Sequence, residues 1–434
     1  MKKTLIYIAT VVLTFSACSP RVDDVFENTA VVRLEQNREL VKTRLMNAEN
    51  GWVMQYFAQS DNSSSDTTKH RGYNFLFKFR NDGTVTIGAP VNGNFKTETS
   101  LWDIINDNST VLTFNSFNSI FHYYSNPDPE LTLWNTDGEG VGGDYEFMVL
   151  EYNEQENYQL LKGKKQSCYI RLYPLPADED WYTYFDKINA MDKRLFGEKS
   201  PLDFYSGDKH YTLYNGYKHE FRAFEAGADT LGGGFYYGFI VTLNGIRLHD
   251  NKLLEAEINR AAFNMTEDGK RLQSVIDPNT YMTVEGSTVF TSDANNGKAW
   301  IIDTNSLPAS IAAALNNVNT KISAVVANSH IASMRFEGAG EKRMALRIFY
   351  SVGGAAANSY DIYYFDTKQE GNLFSMKADS TYSSGSILYE YGGFELVNSF
   401  NGTYTLDLKK GFAPSEGIVA TKTDDTAFVI NMKH

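Results

Sequence analysis

From Tyr73 to Arg80 the chain alternates in a way that leaves little choice of fold. Tyr73, Phe75, Phe77 and Phe79 take one side and Asn74, Lys78 and Arg80 the other, with Leu76 the one exception. A period of two places all four rings on one face of a β-strand. Asn81-Asp82-Gly83 follows and Thr84-Val85-Thr86-Ile87 resumes, the pattern of a tight hairpin. Further strands are predicted at Val111–Phe114, Ile120–Tyr124, Leu131–Trp134, Tyr145–Tyr152, Tyr158–Lys162 and Cys168–Tyr173. Roughly eight strands with turns between them predict an antiparallel barrel or sandwich. An all-aromatic face predicts a filled interior rather than a sheet covered by helices.

Helices bracket this region. Asn28 or Thr29 can cap a helix to about Glu49, with Leu34, Val41, Leu45 and Ala48 on one stripe and Asn50-Gly51 as its stop. Asp178 is expected to cap a second, carrying Trp181, Phe185, Ile188 and Leu195 and ending at Gly197. The second half is again strand-rich. Tyr211–Tyr214, Phe221–Phe224 and Phe235–Leu243 are candidates, the last turning through Asn244-Gly245 into Ile246-Arg247-Leu248. Ala299–Ile302, Met344–Tyr350, Tyr360–Phe365, Thr403–Leu408 and Ala427–Met432 follow, and Pro308 opens a short Ala-rich helix through Leu315. Leu253–Asp268 reads equally as helix. The expectation is a mainly β protein with two antiparallel β-barrel or sandwich-like domains and a few packing helices. They would span 28–197 and 198–434, with a further subdivision near residue 285.

The N-terminus reads as a leader. Lys2 and Lys3 precede an apolar run from Leu5 to Phe15, then Ser16, Ala17 and Cys18. The run is short for a membrane-spanning helix and fits a secretory signal over 1–17. Small residues directly before a cysteine resemble a lipobox, which implies cleavage before Cys18 and attachment of lipid to its sulfur. Residues 18–27, including the acidic Asp23, Asp24 and Glu27, would then be a tether. Acidic residues in that place also resemble a surface-export signal, so the expected location is the outer membrane, lipid-anchored and facing outward.

The whole chain of 434 residues carries 40 Lys+Arg against 53 Asp+Glu, a formal charge of -13. Such a surface repels phosphate backbones, so nucleic acid is not an expected partner. With Cys18 used for lipid, Cys168 has no intramolecular disulfide partner. It shares a face with Ile170 and Leu172 and is expected to be a buried core thiol.

Chemistry-bearing motifs are few. Gly138, Gly140 and Gly143 satisfy G-x-G-x-x-G, but the chain continues as a strand and not as the helix a dinucleotide site requires. The same stretch nearly makes a calcium loop, with Asn135, Asp137 and Glu139 at its first, third and fifth positions and Glu146 at its twelfth. A glycine-rich hairpin loop with solvated acids is the plainer reading. His219-Glu220 begins an HExxH whose second histidine is replaced by Ala223. No motif supports an enzyme, although the two carboxylates that suffice for a glycosidase could be any of the 53 acids. Aromatics make up 14% of the chain, and planar rings stack on sugar faces. Those least explained by alternation are Tyr123 and Tyr124, Trp134, and Tyr236 and Tyr237. They are the candidate ligand-binding residues, with core or edge-strand packing as the alternative.

Several local patterns occur together. Phe26, Gly51-Trp52, Gly72-Tyr73, Phe77-Lys78-Phe79, Leu112-Thr113-Phe114 and Phe121-His122 lead into Gly143-Asp144-Tyr145-Glu146-Phe147. Leu161-Lys162-Gly163-Lys164 and Asn244-Gly245-Ile246-Arg247-Leu248 complete the series. In these the chain resembles a Bacteroidetes surface lipoprotein family known only as a domain of unknown function (number four three zero two). The resemblance implies an accessory lipoprotein working beside SusC/SusD-type importer subunits, sometimes with a metallopeptidase-like protein. It implies surface binding of a glycan or peptide and brings no catalytic residues. The expected function is therefore a non-catalytic binding component of a nutrient-uptake system. The alternatives are a glycan or peptide hydrolase with a carboxylate or calcium-assisted site, and a surface protein that adheres to another protein.

Overall fold

Each of three successive stretches of chain closes on itself as an eight-stranded antiparallel barrel, seen in a computed structural model. It describes residues 28–58, 72–91, 93–126, 143–215, 219–225, 235–249, 262–340, 342–380 and 387–434. In every barrel each strand pairs with its neighbours in sequence and the first strand pairs with the last. The first closes Trp52–Phe57 on Tyr169–Pro174, the second Leu202–Ser206 on Thr280–Thr283, and the third Trp300–Ile302 on Asp425–Lys433. The mainly β, barrel-like expectation is thus met with three barrels in place of two. The subdivision raised near residue 285 falls between the second and third.

Helices introduce the barrels. Helix α1 (Ala30–Asn47) is capped by Thr29, whose hydroxyl accepts the Val32 N–H at 3.4 Å, and it buries Val41 and Leu45. Helix α2 (Trp181–Phe196) is capped by Asp180, not by the expected Asp178. The Asp180 carboxylate accepts the N–H groups of Tyr182 and Thr183, both at 3.0 Å. Helix α3 (Gly286–Asn295) leads into the third barrel, and helix α4 (Ala309–Val325) lies between its first two strands. The latter runs well past Leu315 because Ile311, Val318 and Ile322 continue one buried stripe. Helix α5 (Gly393–Asn398) lies between two later strands of that barrel.

The alternating strand does what its pattern demands. Phe75, Phe77 and Phe79 fill the first barrel with Tyr56, Phe114 and Phe147. Phe121 enters the same space from a loop. Its ring lies 4.8 Å from Phe114, 5.4 Å from both Phe75 and Phe77, and 5.7 Å from Tyr56. The exception to the alternation, Leu76, is also buried, and on the outer face. Gly72 and Asn74 share that face, where the first barrel meets the second. Asn74 Nδ2 donates to the Val241 carbonyl at 2.8 Å, and a Cβ on Gly72 would meet Ile240 Cγ1 at 1.8 Å. Cys168 is buried with Phe57 and Ile240 at this junction, as a core thiol should be. The junction also holds the buried Arg247, whose Nε donates to Gln55 Oε1 at 2.7 Å and whose Nη2 donates to the Tyr173 hydroxyl at 2.5 Å.

Candidate functional site

The residues singled out as ligand-binding divide sharply. Tyr123 and Tyr124 are each only 8% exposed and belong to the first barrel's core, where Tyr124 packs on Tyr73 with centroids 4.1 Å apart. Tyr237 is 2% exposed and buried in the second barrel. The alternative named for these three, core packing, is the one the structure takes. Burial leaves no ring face for a ligand. Trp134, Asn135, Asp137, Glu139, the side chain of Tyr236 and Cys18 lie outside the described residues. Glu146, the last of the calcium-loop acids, places Oε2 3.1 Å from Lys164 Nζ. His219 of the broken HExxH has Nε2 3.2 Å from Asp192 Oδ1.

A different set of aromatics reaches the surface beside Tyr123 and Tyr124. After the strand Thr110–Phe114 the chain turns through Asn115–Asn126 and places Phe117, 60% exposed, on the rim of the first barrel. The His122 ring stacks on it, with centroids 5.4 Å apart and planes 22° apart. Tyr145, 49% exposed, continues the row 5.7 Å from His122. The result is a stepped aromatic ledge whose outer rings are open.

Asn118 builds the ledge from beneath. It is fully buried, and its Oδ1 accepts the N–H groups of Ile120 and Phe121 at 3.1 Å each. Its Nδ2 donates to the Glu98 carbonyl and the Ser100 hydroxyl at 3.4 and 3.3 Å. That bonding forces the turn that sends Phe121 inward and His122 outward. The Asn118 N–H donates to His122 Nδ1 at 2.9 Å. The Asn118 carbonyl is also within 3.1 Å of that nitrogen but already accepts the His122 N–H at 2.9 Å. Because an N–H can only donate, Nδ1 is the acceptor and Nε2 carries the ring proton. Burial pushes the His122 imidazole below its ordinary pKa, so the ring is neutral at pH 7.

A second constellation lies where the second and third barrels meet. Asp203 and Tyr205 point outward from the strand Leu202–Ser206, and His210 lies on the neighbouring strand opposite Tyr205. Glu285 stands at the N-cap of α3. Asp203 Oδ1 is 3.0 Å from His210 Nε2, and Tyr205 donates to Glu285 Oε1. Burial, then the charge of Asp203, pushes the Glu285 carboxyl up to about 7. Asp203 has no exposed surface, so these two acids do not flank a gap that could admit a sugar ring.

Neither constellation was visible in the sequence. The ledge unites positions up to 28 apart through a loop, and the acid cluster joins positions 82 apart across two barrels. The only signal was local: Phe121-His122 and Tyr145 sit inside patterns already noted.

The chain is thus three filled antiparallel barrels in series, the first bearing an exposed aromatic ledge. Residues 22–258 match the family model "Domain of unknown function (DUF4302)", and the chain belongs to that family. The match ends inside the second barrel, before the strand Ala262–Met265, so the third barrel lies beyond it. No curated protein matches the chain. Among solved structures it is similar to a DNA polymerase sliding clamp from Pseudomonas aeruginosa, at 7% identity over 92% of this chain and 97% of the other, with a TM-score of 0.12. DNA polymerase III β subunit from Thermotoga maritima gives 7% identity, 92% and 96% coverage and 0.13. Isotype 1 transferrin binding protein B from Neisseria meningitidis gives 8%, 86%, 67% and 0.13. Superpositions at that level define no common fold.

Proposed function

We propose that this protein is a lipid-anchored, surface-exposed binding component of a SusC/SusD-type uptake system, and that it captures glycan on the ledge of Phe117, His122 and Tyr145. The exposed aromatic row carries the reading. Flat rings stack on the apolar faces of pyranose sugars, and the Nε2–H of a neutral His122 supplies a directed donor between them. The lipobox-like sequence at Cys18 supports the anchor, and the resemblance to a surface lipoprotein family supports the uptake context.

The test is a glycan panel presented to the soluble chain from Ser19 onward, with affinities measured by calorimetry and every hit incubated for product. Binding without product, weakened at least tenfold by Phe117→Ala or Tyr145→Ala, is the expected result. Affinities that ignore both substitutions would remove the ledge as the site. Released product would replace capture with hydrolysis, and a panel with no hit would redirect the search to a protein partner.

A further inference from the structure

We infer that Asp203, His210 and Glu285 form a site for one divalent transition-metal ion of the zinc type, which latches the second barrel to the third. One donor atom from each residue lies within 4.8 Å of the others. The set is not a solvated acidic cluster. Asp203 is fully buried, and His210 and Glu285 are partly so.

The surroundings hold the donors in place. Leu202 and Phe204 point into the second barrel and are fully buried, which fixes Asp203 and Tyr205 on its outer face. Tyr205 stacks between His210, 4.3 Å away, and Tyr281, 5.0 Å away, and its hydroxyl donates to Glu285 Oε1. From the other side α3 supplies two donors to Asp203: the Glu285 N–H to Oδ2 at 3.2 Å and the Thr288 hydroxyl to Oδ1 at 3.1 Å. Helix α3 is itself fastened to the third barrel, with Ser287 Oγ donating to the Gly371 carbonyl at 2.7 Å and Thr291 Oγ1 to Gln369 Oε1 at 2.9 Å.

One atom is left over. Glu285 Oε2 is buried and has no hydrogen-bond partner among the described residues. Leaving a buried carboxylate oxygen unsatisfied is costly, and a cation beside it removes the cost. Two carboxylates balance the charge of a divalent ion. An imidazole in the donor set favours Zn²⁺ over Ca²⁺ or Mg²⁺, which prefer oxygen alone. Zinc bonds of about 2.1 Å place tetrahedral ligand atoms roughly 3.4 Å apart. His210 Nε2 and Asp203 Oδ1 are 3.0 Å apart across a hydrogen bond and all three donors lie within 4.8 Å. Loading therefore replaces that proton with the ion, leaves the His210 ring proton on Nδ1, and draws Glu285 inward with Tyr205 following it. The latch would tie a strand of one barrel to the helix cap of the next. Glycan capture on the distant ledge does not depend on it.

The experiment uses the untagged soluble chain from Ser19, loaded with ZnCl₂, dialysed, and assayed for zinc by mass spectrometry and for melting temperature. One equivalent of retained zinc and a raised melting temperature are expected, both lost in Glu285→Gln. Tyr205→Phe removes only the hydrogen bond that orients Glu285 and is expected to weaken zinc affinity roughly 10- to 100-fold against a competing chelator. It also serves as the reading variant should Glu285→Gln fail to fold. A chain that retains no stoichiometric zinc overturns the inference. So does zinc retained equally by Glu285→Gln, or by Tyr205→Phe at undiminished affinity. Either would place the ion elsewhere, as at His219–Asp192 or His434–Asp293.

Discussion

Asp144 occupies the space that any side chain at Gly163 would need: a Cβ built there meets Asp144 Oδ2 at 2.1 Å. The closeness lets the carboxylate accept the N–H groups of Lys165 and Gln166 at 2.7 and 2.9 Å, closing the turn between two strands of the first barrel. Gly163→Ala is therefore expected to destabilise the protein by about 1–3 kcal/mol through overpacking and loss of that turn. Denaturant unfolding of the two proteins checks it, and an unchanged midpoint would refute it.

Phe117 and Phe121 are four residues apart and should respond in opposite ways. Phe121→Ala empties the middle of an aromatic core and is expected to cost about 3–5 kcal/mol. Phe117→Ala removes an exposed ring and should change stability by no more than about 0.5 kcal/mol while weakening the proposed glycan binding at least tenfold. Parallel melting and binding measurements on both variants separate core from ledge.

His122 gives the ledge a pH dependence. Its folded pKa is lowered by burial, so below about 6.5 the unfolded chain takes up the proton more readily than the folded one. The stability contributed by the neutral ring is present above that value and is lost as pH falls through the folded pKa. Protonation also puts a hydrogen on Nδ1, facing the Asn118 N–H that it now accepts. Wild-type protein should lose more melting temperature between pH 7.5 and 5 than His122→Gln does. A parallel decline in both would show that His122 contributes nothing to it.

Arg247 is a buried cation between two barrels. Arg247→Met leaves Gln55 and Tyr173 without their donor, and the expected loss is about 2–3 kcal/mol, since hydrogen bonds from charged groups are stronger than neutral ones. A Gln55→Leu/Arg247→Met double variant should recover part of it, because paired removal leaves fewer polar groups orphaned. Additive losses in that cycle would mean that the two side chains do not act together.

Much of the first barrel was legible because its inward residues are aromatic, although its longest strand, Asn94–Asn106, carries no clear apolar alternation over its first half and went unpredicted. Tyr73–Phe79 and its Asn-Asp-Gly turn appear as read, and even the aberrant Leu76 has a cause in the barrel junction. The second barrel closes through strands such as Ala262–Met265, Arg271–Ser274 and Thr280–Thr283, each offering a single fully buried apolar side chain: Phe263, Leu272 and Met282. One inward residue has no period. In the third, His330–Gly338 escaped notice because a bulge between Ile331 and Ser333 shifts the register that would have revealed it. The strand expected over Ile120–Tyr124 is absent: the chain turns there into a single 3₁₀ turn at His122–Tyr124, which folds Tyr123 and Tyr124 inward with Phe121. The ledge and the acid cluster depend on loop geometry and barrel docking, which no local pattern encodes.

Closure has a consequence for how this protein can meet others. A sheet that ends in an edge strand offers a row of free backbone donors and acceptors, and many surface proteins recruit peptides by adding them there. Here the first and last strands of every barrel pair with each other, over four positions in each of the first two barrels and two in the third. Among the described residues, then, recognition falls mainly to side chains and loops, and three such units in series present little open strand edge for their own copies to pair with.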